Sequence, residues 1–464
     1  MATAATCWLI DDGNGGAQAL VAQYAALRDC EPRRCRSTTD LPAGAARDTL
    51  IAMPGAKLDD LEVDARAHLA ALVRTGATLY VRGIADGSAT IAQQPFPWSP
   101  VRVAPKQSAC AYTFSASPMV PCALRGETAN TLAEVCAAEW LPPTAEVHLS
   151  VRYLDGIERP VIFSFRYGGG RVLYDLHSSW EGSDDPIVAR LADPQTRAAE
   201  IGTLIAVNQV SSLAEDRPAP FNLTIDDRPA HYDYFNASAV RSLLRHIEDL
   251  CPGAHTDFAW TPCYTHPPRA YIDEIKRARS GFVWHGFVDH VDHKRIADPE
   301  RDLALGVRAV GEIERRFDVR LQPIMIFPFE RSVPFQLGLL RRRGFLASVE
   351  EPRHPLADEH APRHLSCSLS YRRDEQSGFS VLYRYAASSL TRDRLLAMSA
   401  IGLPIIAYAH PDELGLKRLS PLWNRGPRSS HFDEILTFAG SKSLPSASLE
   451  EIARGTTTAL ASAA

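Results

Sequence analysis

The stretch Phe221-Asn222-Leu223-Thr224-Ile225 constrains the fold more than any other part of the chain, because it is a short apolar, β-branched run that ends abruptly in two carboxylates, Asp226 and Asp227. Such a run reads as a buried strand, and its last residues are then delivered to the C-terminal edge of a sheet. Further along, Phe282-Val283-Trp284 leads into His285, followed by His290 and His293. Acids and imidazoles in this order point to a metal-dependent hydrolase.

The totals bound the answer. A chain of 464 residues exceeds what one hydrophobic core usually organises, so two domains are expected. The formal net charge of −5 is small for this length, and no long Lys/Arg run occurs. That argues against nucleic acid or an anionic membrane surface as the main partner and favours a small substrate. Nine cysteines form an odd set without a CxxC pair, and the close pair Cys30 and Cys35 reads as free thiols. The first residues lack a basic n-region, and no apolar stretch approaches the roughly twenty residues of a membrane span. Together these features give the expectation of a cytoplasmic protein.

The first half alternates strand-like and helix-like segments. Thr6 to Asp11, Thr49 to Met53 and Ala77 to Val81 read as strands, and Leu61 to Val73 as an amphipathic helix. This pattern predicts a parallel sheet flanked by helices. From Pro95 to Leu149 the pattern loosens, as for an excursion packed on the sheet edge. Val161 to Phe165 and Arg171 to Leu176 then read as a hairpin around Gly168-Gly169-Gly170. A strand follows these glycines, so they are a turn and not a phosphate loop. One helix is expected from about Asp185 to Val207. The polar, proline-containing stretch Ser211 to Pro220 is the best linker, which divides the chain into domains 1–212 and 213–464.

The second half runs strand, helix, strand throughout. Helices are expected near 239–250, 268–278, 303–317, 334–343 and 391–401, and strands near 256–260, 281–284, 323–327, 345–349 and 404–408. The succession predicts a distorted (β/α) barrel with its chemistry at the C-terminal strand ends. Those ends hold Asp226 and Asp227, then His285, then Phe329-Glu330-Arg331, and finally His410. Adjacent carboxylates on a strand point to opposite sides, so one is free to bind a metal while its neighbour acts as base. Zinc accepts one carboxylate and two imidazoles and keeps a position open for water. His285 and His290 supply the imidazoles, with His293 in reserve, and Trp284 and Phe287 line the pocket. His410 is the candidate acid, since an imidazole ordinarily titrates near neutrality. His231 near the diacid and His354, His360 and His364 in a Pro-rich segment are lesser candidates.

Two resemblances follow from these residues. The first half resembles class I glutamine amidotransferase-like (flavodoxin-like) domains in Leu50-Ile51-Ala52-Met53-Pro54-Gly55 and in Tyr167 to Tyr174. Where active members carry a nucleophilic Cys, this chain has Ile84-Ala85-Asp86, so the domain is expected to be noncatalytic. The second half resembles NodB-type polysaccharide deacetylases (carbohydrate esterase family 4) in Thr224-Ile225-Asp226-Asp227-Arg228-Pro229, in His285 to His290, in Met325 to Glu330 and in Ile405 to His410. The resemblance implies Asp226 as base, Asp227, His285 and His290 as ligands of one divalent metal, zinc, His410 as acid, and the Phe329 amide as oxyanion donor. Arg228, Trp284 and Glu330 are the substrate-binding candidates beside them. Four residues separate the two histidines instead of three. Ile326 and Phe329 replace the third motif's Arg and Tyr, which leaves Arg331 as the cation that reaches back to the base.

The expected activity is hydrolysis of an N-acyl group from an amino sugar or related small metabolite, with metal-bound water as nucleophile. The expected partners are that small substrate and, through the N-terminal domain, a second copy of the chain. Two readings compete: a noncatalytic carbohydrate-binding or scaffold protein built from degenerate enzyme domains, and a metal-free cyclic amide hydrolase.

Overall fold

The computed structural model describes residues 6–10, 21, 24–25, 30–41, 49–59, 61–83, 102–177, 187–209, 219–226, 237–263, 267–289, 291–292, 295–328, 332–351, 371–374, 376–410 and 430–462. The chain forms two compact units, Met1–Arg217 and Pro218–Ala464.

The first unit is built on a ten-stranded sheet. Its strands are β1 (Thr6–Ile10), β2 (Glu31–Cys35), β3 (Thr49–Pro54), β4 (Thr78–Arg82), β5 (Arg102–Phe114), β6 (Thr128–Asn130), β7 (Glu134–Trp140), β8 (Glu146–Tyr153), β9 (Glu158–Tyr167) and β10 (Gly170–Asp175). The described helices are α1 (Gly55–Asp59), α2 (Val63–Thr75), α3 (Ile187–Ala192) and α4 (Pro194–Asn208). Strands β2, β1, β3, β4 and β10 lie side by side and parallel, the order of an open doubly wound sheet. Antiparallel β9, β8, β5 and β6 continue it, and β7 pairs with β5.

The stretch expected to be a loose excursion therefore contributes strands β5 to β8. Ser115, Ser117, Pro118, Pro121, Pro142 and Pro143 sit between its strands, while alternate positions such as Tyr112 and Phe114 are buried. The expected hairpin is β9–β10. Its glycines are needed for packing, because a Cβ on Gly170 would lie 2.2 Å from the carbonyl oxygens of Val73 in α2 and of Ala77 just beyond it. The single helix expected from 185 to 207 is broken into α3 and α4. Asp193 accepts from the Thr196 amide at 2.7 Å and Pro194 opens the new helix, so a cap and a proline interrupt one apolar stripe.

The second unit has strands β11 (Phe221–Asp226), β12 (Thr256–Trp260), β13 (Gly281–His285), β14 (Leu321–Ile326), β15 (Ala347–Glu350), β16 (Tyr371–Arg373), β17 (Ser380–Tyr383), β18 (Tyr385–Ala386) and β19 (Ile405–Ala409). Its described helices are α5 (Ala237–Leu250), α6 (Arg269–Arg277), α7 (Pro299–Phe317), α8 (Pro334–Arg342), α9 (Arg392–Ala400), α10 (Ser430–Ser441) and α11 (Leu449–Ser462). The strand order is β16-β17-β15-β14-β13-β12-β11-β19-β18, and every pairing but β16–β17 is parallel.

This sheet returns on itself. β17 pairs with β15 up to Glu350↔Tyr383, and one residue later β18 pairs with β19 from Tyr385↔Ala407. Arg384, the single residue between them, stands where the two ends of the sheet meet. The result is the distorted (β/α) barrel that the sequence predicts, with β16 to β18 as additions that the sequence pattern does not announce.

The barrel interior is layered. Ala259, Val283, Ile324, Leu382 and Ile406 form its apolar middle together with Leu449 and Ile452 of α11. Below them, at the N-terminal strand ends, Asp257 accepts from Asn222 and from the Leu449 amide, both at 2.9 Å. Gln322 accepts from the Glu450 amide at 2.8 Å. The orphan amides of the first turn of α11 are thus satisfied by buried strand residues, and the helix closes this end of the barrel.

Candidate active site

Alternation along a strand fixes which residues reach the other end of the interior. Asp226 shares a face with Asn222 and Thr224, His285 with Val283, and His410 with Ile406. Asp226 ends β11, His285 ends β13 and His410 follows β19. Asp226 and His285 are both about 2% exposed.

The group that defines the site is one that sequence reasoning missed. Arg384 Nη1 donates to Asp226 Oδ1 at 2.6 Å, and Nη2 donates to Oδ2 at 2.7 Å. Arg384 is fully buried, and its guanidinium lies 4.2 Å from the centroid of the Tyr408 ring. The Tyr408 hydroxyl in turn donates to Glu351 Oε1. A planar fork meeting a carboxylate edge to edge, with an aromatic face beneath it, is the arrangement in which a buried ion pair is compensated. His410 Nε2 stands 4.0 Å from Asp226 Oδ2, with 24% of its side chain exposed. Its ring meets Tyr408 edge to face at 5.7 Å.

Burial alone would raise the Asp226 carboxyl. The nearby Arg384, His285 and His410 outweigh that effect and pull it down to about 2. Asp226 is therefore a fixed anion, each oxygen engaged by Arg384 and each retaining a lone pair for a further donor. Among the described residues, the cation that steadies it is Arg384. Ile326, at the position of the family's Arg, is fully buried in the apolar layer and pairs with His285 in the sheet. Arg331 lies outside the described residues. The signal for Arg384 was a single basic residue inside the apolar run Ser380-Val-Leu-Tyr-Arg-Tyr-Ala. A cation in such a run needs a buried carboxylate, but the sequence does not say which one.

Trp284 is a correction. It is one residue from His285 and so faces the other way: it is 6% exposed and packs edge to face on Phe345 at 5.1 Å. Phe287 is fully buried too, 6.1 Å from Phe327. Neither residue lines the site; both anchor the turn after His285 to the helical layer. Gly306 of α7 permits this, because a Cβ there would lie 1.8 Å from the Phe287 carbonyl oxygen. Asp227, Arg228, His231, His290, His293, Phe329, Glu330, His354, His360 and His364 lie outside the described residues, as does Ile84-Ala85-Asp86 of the first unit.

Among the described residues no three His, Cys, Asp or Glu side chains group as a metal site. Of the expected ligands Asp227, His285 and His290, the described one is His285. His285 is held at the interior strand end beside Asp226.

Comparison with known proteins gives structural likenesses alone. No family model and no curated protein matches the sequence. A Mycobacterium smegmatis protein assigned as a polysaccharide deacetylase matches with 15% identity and a TM-score of 0.36, over 52% of this chain and 94% of that one. A family 4 carbohydrate esterase from Streptomyces lividans matches with 12% identity and a TM-score of 0.30, over 50% and 93%. The 4-α-glucanotransferase of Thermococcus litoralis matches with 12% identity and a TM-score of 0.37, over 51% and 40%. At these values the matches assign neither a family nor an activity to the chain.

Proposed function

We propose that the C-terminal unit is a deacetylase-type hydrolase that cleaves the C–N bond of an N-acyl group, acetyl in the first instance, on an amino sugar or a related small metabolite. The observation that carries this reading is the Arg384–Asp226 pair with His410 4.0 Å away, at the barrel end that also holds His285. It combines an oriented carboxylate with a partly exposed imidazole, which are the two groups needed to move a proton on and off water and amine.

In this reading Asp227, His285 and His290 would hold one divalent ion, zinc, which would supply carbonyl polarisation and a more acidic water. Asp226 accepts the proton of the attacking water. Arg384 keeps the carboxylate ionised and aligned throughout. His410 gives a proton to the departing amine, and the Phe329 amide steadies the developing oxyanion. Arg228 and Glu330 contact the sugar. The N-terminal unit acts as a noncatalytic docking or substrate-shaping module.

The test is acetate release from N-acetylglucosamine and small N-acetyl compounds by the full chain. Asp226→Asn and His410→Ala are each expected to lower kcat/KM by about 10²- to 10⁴-fold. The purified protein should carry stoichiometric metal that His285→Ala loses. Undiminished activity in Asp226→Asn would sink the proposal.

A further inference from the structure

The first unit holds a buried acid–imidazole pair that the proposed reaction does not use. Asp175 ends β10 and Arg82 ends β4, and the two are register partners at the C-terminal edge of the parallel strands. Asp175 is fully buried. Its Oδ1 accepts from the His177 backbone amide at 3.1 Å and faces His177 Nδ1 at 2.7 Å. Its Oδ2 accepts from the Tyr80 hydroxyl at 2.9 Å and lies 3.8 Å from Arg82 Nε. Tyr80 also bonds to Thr203 of α4 at 3.1 Å. Gly202 beside it lets α4 lie so close that a Cβ there would be 2.4 Å from Asp175 Oδ2. On the same helix Glu200 pairs with Arg190 and accepts from Tyr24, while Arg197 donates to the Leu191 carbonyl.

This arrangement fixes how His177 presents itself. An ionised carboxylate only accepts, and the surrounding histidine and arginine hold Asp175 below the usual carboxylate range against its burial. Nδ1 is therefore the donor, and in the uncharged tautomer this fixes, Nε2 is the acceptor. His177 is 6% exposed, and its Nε2 is buried with no hydrogen-bond partner among the described residues. The Tyr112 ring stands 5.5 Å from the imidazole. An acceptor aimed by a buried carboxylate, yet unmatched, is what a ligand's donor group would complete. The C-terminal edge of a parallel sheet is also where such folds bind their ligands. Each carboxylate of the network already faces a guanidinium, Asp175 with Arg82 and Glu200 with Arg190, so the missing partner brings a donor without bringing charge.

We propose that this edge of the first unit is a second ligand site, in which His177 Nε2 accepts a hydrogen bond from an uncharged hydroxyl compound of the sugar or polyol class. The site is independent of the barrel chemistry. It is tested on the full chain labelled with ¹⁵N-histidine, in which the His177 resonances distinguish binding here from binding at the barrel mouth. The His177 resonances are assigned by their loss in His177→Phe or, should that variant not fold, in His177→Gln. The probes are glucose, N-acetylglucosamine and glycerol, with inorganic phosphate and acetate as charged counterparts. A saturable shift of the His177 Nε2 resonance with a neutral probe, and none with the anions, is the expected result. No shift with any neutral probe, or a shift with the anions instead, overturns the proposal.

Discussion

Arg384 is the residue on which the barrel unit depends most. It is where the strand from Ser380 to Ala386 passes from one end of the sheet to the other, and it carries the only cation seen on Asp226 among the described residues. Arg384→Ala strands a buried carboxylate, so a loss of about 3–5 kcal/mol in denaturant unfolding is expected, together with loss of hydrolysis. Arg384→Lys keeps the charge but loses the fork, and should fall between the two in both measurements. Asp226 also sets a pH dependence. Its carboxyl lies at about 2 in the folded chain, below the roughly 3.9 of an unfolded aspartate. The stabilisation is therefore complete above about pH 4 and is lost as pH falls through 2. In Asp226→Asn the stability curve measured across that window should be flatter than in the parent. An equally steep curve would mean that another group carries it.

At the scale of elements, two helices hold the ends of the barrel. α7 meets the turn after His285 through Gly306, with no room for a methyl group. Gly306→Ala is expected to cost about 1–3 kcal/mol by overpacking. It should also disturb metal content and activity, because the turn that moves is the one that carries His285; a variant with full activity would show that the turn adapts freely. At the other end α11 sits on Asp257 and Gln322, and His255 Nε2 lies 2.9 Å from Asp257 Oδ1. Burial would lower the His255 pKa, but its bond to Asp257 and that carboxylate's charge prevail and raise it. A raised imidazole stabilises the fold below its unfolded value near 6.5 and ceases to do so as pH rises through the folded value. Stability lost on that alkaline side should be reduced in His255→Gln, as followed by thermal unfolding at a series of pH values.

For the whole molecule, two compact units and one proposed metal make a further prediction. Zinc at a hundredfold excess over its Kd should stabilise the unit that binds it by about 2.7 kcal/mol, and a chelator should remove that gain. In calorimetry of the full chain, the transition that responds should be the one lowered by Gly306→Ala, while a transition of the first unit stays in place. Loss of the response in His285→Ala would agree with the proposed ligands, and an unchanged response would remove His285 from them. Much of this organisation was legible from local pattern. Short apolar runs, amphipathic stripes and strand-ending acids and histidines are properties of neighbouring residues, so the alternation of strands and helices and the positions of Asp226, His285 and His410 could be read directly. Trp284 was misread, because nearness in sequence to His285 puts it on the opposite face of a strand. Arg384 could not be placed at all, since its partner lies 158 residues away and the two meet only when the sheet closes. The sequence by itself thus determined which segments are strands and which residue types stand at their ends. Only the tertiary structure decided which charge neutralises which, because pairing across a barrel is set by strand order and closure and not by spacing along the chain.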